Sequence, residues 1–374
     1  MARSEDRALG DLARRTLQAD AVERTRRRIA TVRGAPFVAG AADSDRPVRT
    51  VYDARHRRNL PGREVRAEGA KPGKDMTANR AYDGLGATFE LYLQAYQRHS
   101  INDQGLPLNA TVHYRQGYNN AFWNGERMVI GDGDGDVFLD FTLPLDVIGH
   151  ELTHGVTQYS ANLSYFGQPG ALNESVSDVF GSLVKQYALG QTADQADWLI
   201  GAGLLGPTVH GVALRSMKAP GTAYDDPRLG RDPQPGSMDG FVTTGRDNGG
   251  VHINSGIPNH AFHLVAEALG GYAWERAGQI WYDVLTGGEL SSDADFAAFA
   301  DLTVSAALAR YGRGSERDAV IKAWAQVGVI EAALAGAVFV PAGGSLDHRG
   351  TVPETVGHTP PGPPVGDDED EDDE

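Results

Sequence analysis

The sequence reads His150-Glu151-Leu152-Thr153-His154, and twenty residues further on it reads Asn173-Glu174-Ser175-Val176-Ser177-Asp178. On a helix, residues i and i+4 lie on one face, so the imidazoles of His150 and His154 can point at a single metal ion. Two imidazoles and one carboxylate, here from Glu174, are a known ligand set for catalytic zinc that leaves a fourth position open. The two segments together predict one catalytic zinc ion held by these three side chains.

Two further carboxylates of these segments have predicted roles. Glu151 lies beside the ligands without being needed as one, and it is the candidate that accepts a proton from water and later delivers it. Asp178 lies one helical turn after Glu174, and a metal-bound imidazole usually donates its second N–H to a carboxylate, so Asp178 is predicted to bond His150. The first motif alone also fits a surface helix with two solvated histidines, and the second segment favours the metal site.

The order of the predicted elements indicates two lobes. Strand-like pieces run from Thr50 to Phe141 and are interrupted by a helical stretch around Gly86–Arg98. A helix over Leu145–Ser160 carries both histidines, with Pro144 near its first turn. Apolar residues at three-to-four spacing predict further helices at 172–189, 258–269, 272–286, 295–311 and 316–327. We therefore expect an α+β fold, in which the zinc-binding helix joins a β-rich N-terminal lobe to an α-helical C-terminal lobe.

The two ends of the chain differ in composition from these lobes. Residues 8–32 predict one Arg-rich helix, and Gly34 to Pro47 has the composition of a linker. The tail is rich in Pro and Gly and then in acidic residues, which predicts disorder. The expected domains are a propeptide-like segment at 1–47, the N-terminal lobe at 48–160, the C-terminal lobe at 161–335 and the tail at 336–374.

Composition narrows the classes of function. The 374 residues include no cysteine, so disulfides and thiol chemistry are excluded. No apolar run approaches the roughly 20 residues of a membrane span, and the charged amino terminus lacks the apolar core of a secretory signal. Net charge is −16, with +7 on residues 1–66 and −15 on residues 67–366. This asymmetry predicts a leader that docks electrostatically, although a solvated Arg-rich helix also fits it, and the acidic body disfavours nucleic-acid binding.

Four motifs in a fixed order resemble the thermolysin family of neutral zinc metallopeptidases. They are 117–125 (Gly-Tyr-Asn-Asn-Ala-Phe-Trp-Asn-Gly), the 150–154 motif, the 173–178 motif and 247–256 (Asp-Asn-Gly-Gly-Val-His-Ile-Asn-Ser-Gly). The similarity runs from about Val51 to about Val329, and the segment from Arg49 to Gly62 resembles the protealysin subgroup. The resemblance implies the two-lobed fold, with the zinc-binding helix at the base of a cleft.

The resemblance also implies roles around the reacting bond. Tyr165 and His252 are expected to donate hydrogen bonds to the oxyanion, with Asp247 as the carboxylate partner of His252; a buried structural histidine is the alternative. Arg215 matches a residue that bonds a substrate carbonyl. Backbone groups of an extended strand are expected to add the substrate to a sheet edge, at Asn120, Ala121 and Trp123.

Family positions for the pocket on the amine side of the cleaved bond are all apolar here. These positions hold Phe138, Phe141, Val147, Ile200, Leu204 and Leu214. They predict a preference for a large hydrophobic substrate side chain, although the same residues also fit a plain hydrophobic core.

The family's acidic calcium cluster is only partly kept. Asp146 and Asp197 remain, but three other positions hold Lys185, Leu199 and Ala202, and Val212 replaces a further calcium-binding aspartate. Calcium needs six to eight oxygens, so the double calcium site is not expected. The run Asp132-Gly133-Asp134-Gly135-Asp136 lacks the sixth-position Gly and twelfth-position Glu of an EF-hand loop and is interpreted as a turn in the cleft.

The leading hypothesis is a monomeric zinc endopeptidase that acts on peptides or proteins and is made with a short propeptide. A catalytically silent peptide-binding protein and a zinc hydrolase of non-peptide esters or amides are the alternatives. Intact Glu151, Tyr165 and His252 disfavour the first alternative, and the strand-like edge with Arg215 disfavours the second. The resemblance implies secretion, whereas the absence of a signal sequence leaves a cytoplasmic location as the alternative.

Overall fold

Five short strands form the sheet of the N-terminal lobe in this computed structural model, which describes residues 45–331. Their order is β2-β1-β3-β5-β4, so that β4 lies at one edge. β1 pairs antiparallel with β2 and parallel with β3, whereas β5 pairs parallel with β3 and antiparallel with β4. The strands are β1 (Arg49–Asp53), β2 (Arg63–Ala67), β3 (Leu108–Val112), β4 (Ala121–Trp123) and β5 (Met128–Ile130).

Helix α1 (Met76–Tyr96) packs on this sheet and begins ten residues earlier than the helix predicted around Gly86–Arg98. The carboxylate of Asp75 accepts the Ala78 N–H at 3.2 Å and caps the first turn. The first half of α1 contains two glycines and an asparagine, which have low helix propensity, so the sequence there does not indicate a helix. At Gly84 a Cβ atom would lie 2.5 Å from Ile148 Cδ1, so a contact with the next helix explains one of those glycines.

Helices α2 (Leu145–Gln158) and α3 (Gly167–Leu189) form the centre of the molecule and carry the two predicted ligand segments. Their backbones approach closely where Gly149 meets Gly181. A Cβ atom on Gly181 would lie 2.5 Å from the Asp146 carbonyl oxygen, and one on Gly149 would lie 3.0 Å from the Gly181 Cα. Only the absence of side chains permits this approach, and it brings the carboxylates of α3 within reach of the histidines on α2.

The C-terminal lobe is built from α3 and five further helices in the described part of the chain. Four short strands form two small hairpin-like pairs between α3 and α4: β6 (Leu199–Ile200) with β7 (Arg215–Ser216), and β8 (Asp225–Asp226) with β9 (Gly230–Arg231). The helices are α4 (Asp247–Asn254), α5 (Gly256–Leu269), α6 (Ala277–Thr286), α7 (Phe296–Tyr311) and α8 (Ser315–Gln326). The first four residues of α4 have positive φ and form a left-handed turn that leads into the helix. One extended hydrophobic cluster runs from the sheet through α2 and α3 into these helices.

The expected fold class, a β-rich N-terminal lobe and a helical C-terminal lobe joined by the zinc-binding helix, is confirmed. The described residues all belong to one compact unit. The helix predicted at 8–32, the linker up to residue 44 and the tail from 336 lie outside them. No helix within residues 45–331 is both long enough and apolar enough to cross a membrane.

Candidate active site

Helix α2 presents two buried imidazoles toward one carboxylate of α3. His150 and His154 lie one turn apart, with ring centroids 4.7 Å from each other. The Nε2 atom of His150 is 3.4 Å from one carboxylate oxygen of Glu174, and the Nε2 atom of His154 is 3.5 Å from the other. The structure therefore brings together the three residues that the sequence predicts as zinc ligands.

The opposite nitrogen of each ring is held by a neighbour on α3. His150 Nδ1–H donates to Asp178 Oδ1 at 2.8 Å, and His154 Nδ1–H donates to Asn173 Oδ1 at 2.8 Å. Ser177 Oγ lies 3.1 Å from the same nitrogen of His154. These bonds fix the orientation of both rings and leave Nε2 as the atom that can bind a metal.

The spacing of the ligand atoms fits zinc. Two bonds of about 2.0–2.1 Å at a tetrahedral angle place their ligand atoms about 3.3 Å apart, close to the two nitrogen–oxygen separations above. One potential ligand atom from each of His150, Glu151 and His154 also lies within 4.8 Å of the others. The donor set of two imidazoles and one carboxylate is likewise one that zinc prefers.

Electrostatics around the three ligands favour a cation. Burial lowers the pKa of His150, but the hydrogen bonds and charges of Asp178 and Glu174 outweigh this effect and raise the pKa to about 10. Burial raises the pKa of Glu174, but the charges of the surrounding histidines hold it well below its usual range. The site therefore keeps ionised carboxylates at its centre, and their field attracts a metal dication as it attracts a proton.

Glu151 faces the sheet edge from the same helix as the histidines. Its side chain is 7% exposed, and its Oε2 accepts the backbone N–H of Trp123 at 2.9 Å. Since Trp123 ends the edge strand β4, this bond places the carboxylate between the metal ligands and the strand. It is a suitable position for a group that exchanges protons with a substrate lying along that strand.

Tyr165 and His252 both lie next to the Glu174 carboxylate. The Tyr165 hydroxyl donates to Glu174 and lies 3.2 Å from His252 Nε2. His252 Nδ1–H donates to Asp247 Oδ1 at 2.6 Å, and the His252 N–H donates to Asp247 Oδ2 at 2.8 Å. The structure therefore brings together Tyr165 and His252, the two residues that the resemblance assigns to oxyanion stabilisation, and it pairs His252 with Asp247 as expected.

A left-handed turn explains how Asp247 folds back onto His252. Asp247 and Asn248 both have φ of 51°, and Gly249 and Gly250 have φ of 84° and 81°. These conformations are accessible to glycine and tolerated by Asp and Asn, which is why this short polar sequence can form the turn. Burial lowers the pKa of His252, but the charges of Glu174 and Asp247 raise it overall.

Asp178 connects the histidine to Arg215. The guanidinium of Arg215 donates to both Asp178 oxygens, from Nε at 2.7 Å and from Nη2 at 2.6 Å. Asn259 Nδ2–H adds a bond of 2.8 Å to Asp178 Oδ2. Burial raises the pKa of Asp178, but Arg215 and His150 lower it more. The donors Nε and Nη2 of Arg215 are thus already engaged, so a substrate carbonyl would have to be bonded through the rest of the guanidinium.

The edge strand offers part of the predicted backbone contacts. Gly131 N–H bonds the Asn120 carbonyl at 3.0 Å, so that carbonyl faces the sheet instead of a substrate. Trp123 N–H points away from β5, toward Glu151. Because backbone groups alternate along a strand, Ala121 and Trp123 are the residues whose groups face outward.

Five of the six predicted pocket residues come from three segments that meet beside α2, and the sixth, Val147, belongs to α2 itself. Backbone bonds join Leu139 N–H to the Leu204 carbonyl and Leu214 N–H to the Ile200 carbonyl. The rings of Phe138 and Phe141 lie 5.9 Å apart. Phe138 and Leu214 are half-buried, whereas the other four are buried: Phe141, Val147, Ile200 and Leu204.

The acidic run at 132–136 forms a turn. Asp134 Oδ1 accepts the backbone N–H groups of Asp136, Val137 and Phe138 at 2.7–3.1 Å. Asp132 bonds His113. These carboxylates are therefore used within the protein.

The sequence did not point to Asn173, Ser177 or Asn259 as site residues. Asn173 and Ser177 lie in the quoted 173–178 motif, and their spacing from Glu174 was the available signal. Asn259 contacts Asp178 across 81 residues of sequence, so no local spacing could reveal it.

Comparison with known proteins agrees with this geometry. Residues 38–158 match the family model for the thermolysin metallopeptidase catalytic domain, and residues 161–329 match the model for its alpha-helical domain. The extracellular metalloprotease of Pectobacterium carotovorum subsp. carotovorum is 56% identical over 281 residues, covering 75% of this chain and 81% of the relative. Protease PrtS of Photorhabdus sp. (strain Az29) is 52% identical over 288 residues, covering 76% and 77%.

A solved structure supports the same assignment. The precursor of protealysin, a metalloproteinase from Serratia proteamaculans, superposes with a TM-score of 0.76 at 55% identity, covering 81% of this chain and 92% of that one. Fold, site and similarity define a metallopeptidase. The chain belongs to the thermolysin family.

Proposed function

We propose that this chain is a zinc-dependent endopeptidase that cleaves peptide bonds on the amino side of large hydrophobic residues. The observation that carries the proposal is the convergence of the Nε2 atoms of His150 and His154 on the two oxygens of Glu174. Zinc bound there supplies Lewis acidity, which makes water a stronger acid and polarises a peptide carbonyl.

The chain's own residues do the remaining chemistry in this proposal. Glu151 accepts the proton of the attacking water and delivers it to the leaving amine. Tyr165 and His252 donate hydrogen bonds to the oxygen on which negative charge develops, and Asp247 holds the ring of His252 in place. Asp178 orients His150, and through Arg215 it links that histidine to the part of the cleft beyond the cleaved bond.

The substrate would lie as an extended strand against β4. The outward-facing backbone groups of Ala121 and Trp123 support this placement, together with the edge position of the strand. Asn120 would contribute through its side chain, because its carbonyl is used inside the sheet. Phe138 and Leu214 are half-buried at the rim of the apolar pocket. They favour a substrate with a large hydrophobic side chain on the amine side of the cleaved bond.

The relatives support two further parts of the proposal. One relative is named an extracellular metalloprotease, and the similar solved structure is a precursor of protealysin. We accordingly include secretion and synthesis with a short propeptide at residues 1–47. The proposal has one zinc ion and leaves out the family's double calcium site, acts on peptides or proteins as a monomer, and involves neither nucleic acid nor a membrane.

Exchange of Glu151 for Ala tests the proposal. Three ligands remain, so the folded variant should still bind one zinc per chain, while kcat should fall by roughly 10²–10⁴-fold because the proton acceptor is gone. Metal analysis and cleavage of a peptide library with mass-spectrometric mapping of the cut sites measure both effects. Glu126→Ala is the matched control, since that carboxylate is 73% exposed. Folded wild-type protein without zinc, or an active Glu151→Ala enzyme, would overturn the proposal.

A further inference from the structure

A buried ammonium group lies between α2, α3 and β6, away from the zinc ligands. Lys185 Nζ lies 2.8 Å from Asp146 Oδ2, 2.8 Å from Asp197 Oδ1 and 2.7 Å from the Leu199 carbonyl oxygen. An ammonium has three N–H donors, and three oxygens surround it here. The Lys185 side chain is only 12% exposed.

Asp146 makes this positive charge necessary. Its side chain is fully buried, and its other oxygen accepts the Gly201 N–H at 2.8 Å. Burial raises the pKa of Asp146 above its usual value, and the charge and hydrogen bond of Lys185 offset only part of this rise. A buried carboxylate without a compensating cation is strongly destabilising, so the ammonium of Lys185 offsets the free-energy cost of burying the Asp146 carboxylate.

The same group connects the elements that carry the active site. Asp146 lies one turn before His150 on α2, and Lys185 lies two turns after Asp178 on α3. Leu199 belongs to β6, whose next residue, Ile200, pairs with Arg215 of β7. Lys185 therefore joins both ligand-bearing helices to the strand pair that positions Arg215.

We infer that Lys185 is the resident cation of this junction, that it takes the place a calcium ion would need, and that it positions Arg215 for substrate. The cluster does not fit calcium as it stands. Asp146, Asp197 and the Leu199 carbonyl supply few oxygens, and the side chains of Leu199 and Ala202 supply none, whereas calcium requires six to eight.

Exchange of Lys185 for Met tests the charge. Methionine has an unbranched side chain of similar length to lysine but no charge, so the negative charge of Asp146 is left without a cation. The melting temperature of the variant should therefore fall by about 5–10 °C. Adding Asp146→Asn to the same chain should recover most of that loss, because no buried charge then remains. Lys218→Met is the control, since that lysine is 59% exposed. A Lys185→Met protein as stable as wild type would overturn the inference.

Exchange of Lys185 for Glu tests the cation cage. This variant brings a third carboxylate to Asp146, Asp197 and the Leu199 carbonyl. In metal-stripped buffer supplemented with zinc it should melt below wild type, and millimolar calcium should recover several degrees, while wild type should not respond to calcium. A variant that does not respond to calcium, or a wild-type protein that gains about ten degrees, would contradict the inference.

The positioning role rests on the proposed function and has its own readout. For Lys185→Met assayed well below its melting temperature, KM for a peptide should rise several-fold while zinc content and kcat change less. An unchanged KM would show that Lys185 does not position Arg215, and it would leave the role of Lys185 as the resident cation unaffected. The melting experiments stand even if the protein proves not to be a peptidase.

Discussion

Each of the three imidazoles at the site has its Nδ1 bonded to a different oxygen. The partners are Asp178, Asn173 and Asp247 for His150, His154 and His252 respectively. An Nδ1–H that donates to such a partner leaves Nε2 as the functional atom. In the proposed function, Nε2 of His150 and His154 must be free to bind metal, whereas Nε2 of His252 must carry a proton in order to donate.

Exchange of Asp247 for Asn therefore predicts a change in pH dependence. With Nδ1–H held by Asp247, His252 can donate from Nε2 only as the imidazolium. The negative charge of Asp247 helps raise the pKa of that ring, so its removal should lower the pKa. The alkaline limb of the kcat/KM profile should then move to lower pH, with zinc content unchanged. An alkaline limb that stays in place would show that His252 does not act in its charged form.

His113 forms a second charged cluster, outside the candidate active site. Its Nδ1 and Nε2 bond Asp132 at 2.8 Å and Asp75 at 3.0 Å, and His56 lies near Asp132. The hydrogen bond to Asp132 outweighs burial and raises the pKa of His113 to about 9. A charged imidazole thus connects the cap of α1 to the turn at 132–136.

The stability that His113 provides should be lost in alkali. Because its folded-state pKa lies above the unfolded value of about 6.5, the contribution is complete below that pH and disappears as pH rises through about 9. After allowance for solvent screening we expect about 1–2 kcal/mol. Denaturant unfolding of wild type and His113→Gln should differ by this amount in mild acid and converge in alkali. If the difference in unfolding free energy persists above the folded-state pKa of His113, it comes from packing and not from the charge of the imidazole.

At the scale of elements, the close contact of α2 and α3 sets the geometry of the proposed zinc site. The three proposed ligands and the imidazole partners Asp178, Asn173 and Ser177 lie on these two helices, and Gly149 and Gly181 allow the helices to approach. The distance between the helices thereby determines the distance between imidazole and carboxylate.

Exchange of Gly181 for Ala should disrupt this contact. The added Cβ would lie 2.5 Å from the Asp146 carbonyl oxygen and 3.0 Å from the His150 nitrogen, both backbone atoms that cannot turn away. We expect a loss of about 1–3 kcal/mol in unfolding free energy and at least about tenfold weaker zinc affinity. Gly73→Ala is the control, since nothing lies within 4 Å of the added atom. Competitive zinc titration measures the affinity, and unchanged binding would show that the helices adjust.

Sequence reasoning succeeded where a pattern is local. The zinc-binding helix was expected over Leu145–Ser160 and spans Leu145–Gln158, because its apolar face and motif lie within a few turns. The start of α1 was wrong because glycine there serves a contact with Ile148, which no local pattern encodes. For the same reason Asn259 was missed, since it meets Asp178 only through the tertiary fold.

At the scale of the whole molecule, charge is divided between a basic start and an acidic body. Residues 1–66 carry +7 and residues 67–366 carry −15. Within the described residues, sheet pairing starts at Val48, whose carbonyl accepts the Leu108 N–H at 2.7 Å. A cut after Val48 would remove the carbonyl that pairs with Leu108 just before β1, so the limit of a removable leader lies before that residue.

Removal of the leader should depend on the enzyme's own activity. Purified wild type should lose a segment of at most 47 residues on incubation, and Glu151→Ala should keep it until active wild-type enzyme is added in trans. An accessible backbone is required at the cut, and Asp45 and Arg46, in a turn just before the sheet, are both exposed. Intact-mass measurement over time, with and without a zinc chelator, follows the cleavage and locates it. If both proteins keep an intact amino terminus after prolonged incubation with active enzyme, the leader is a permanent part of the protein and the propeptide hypothesis is wrong.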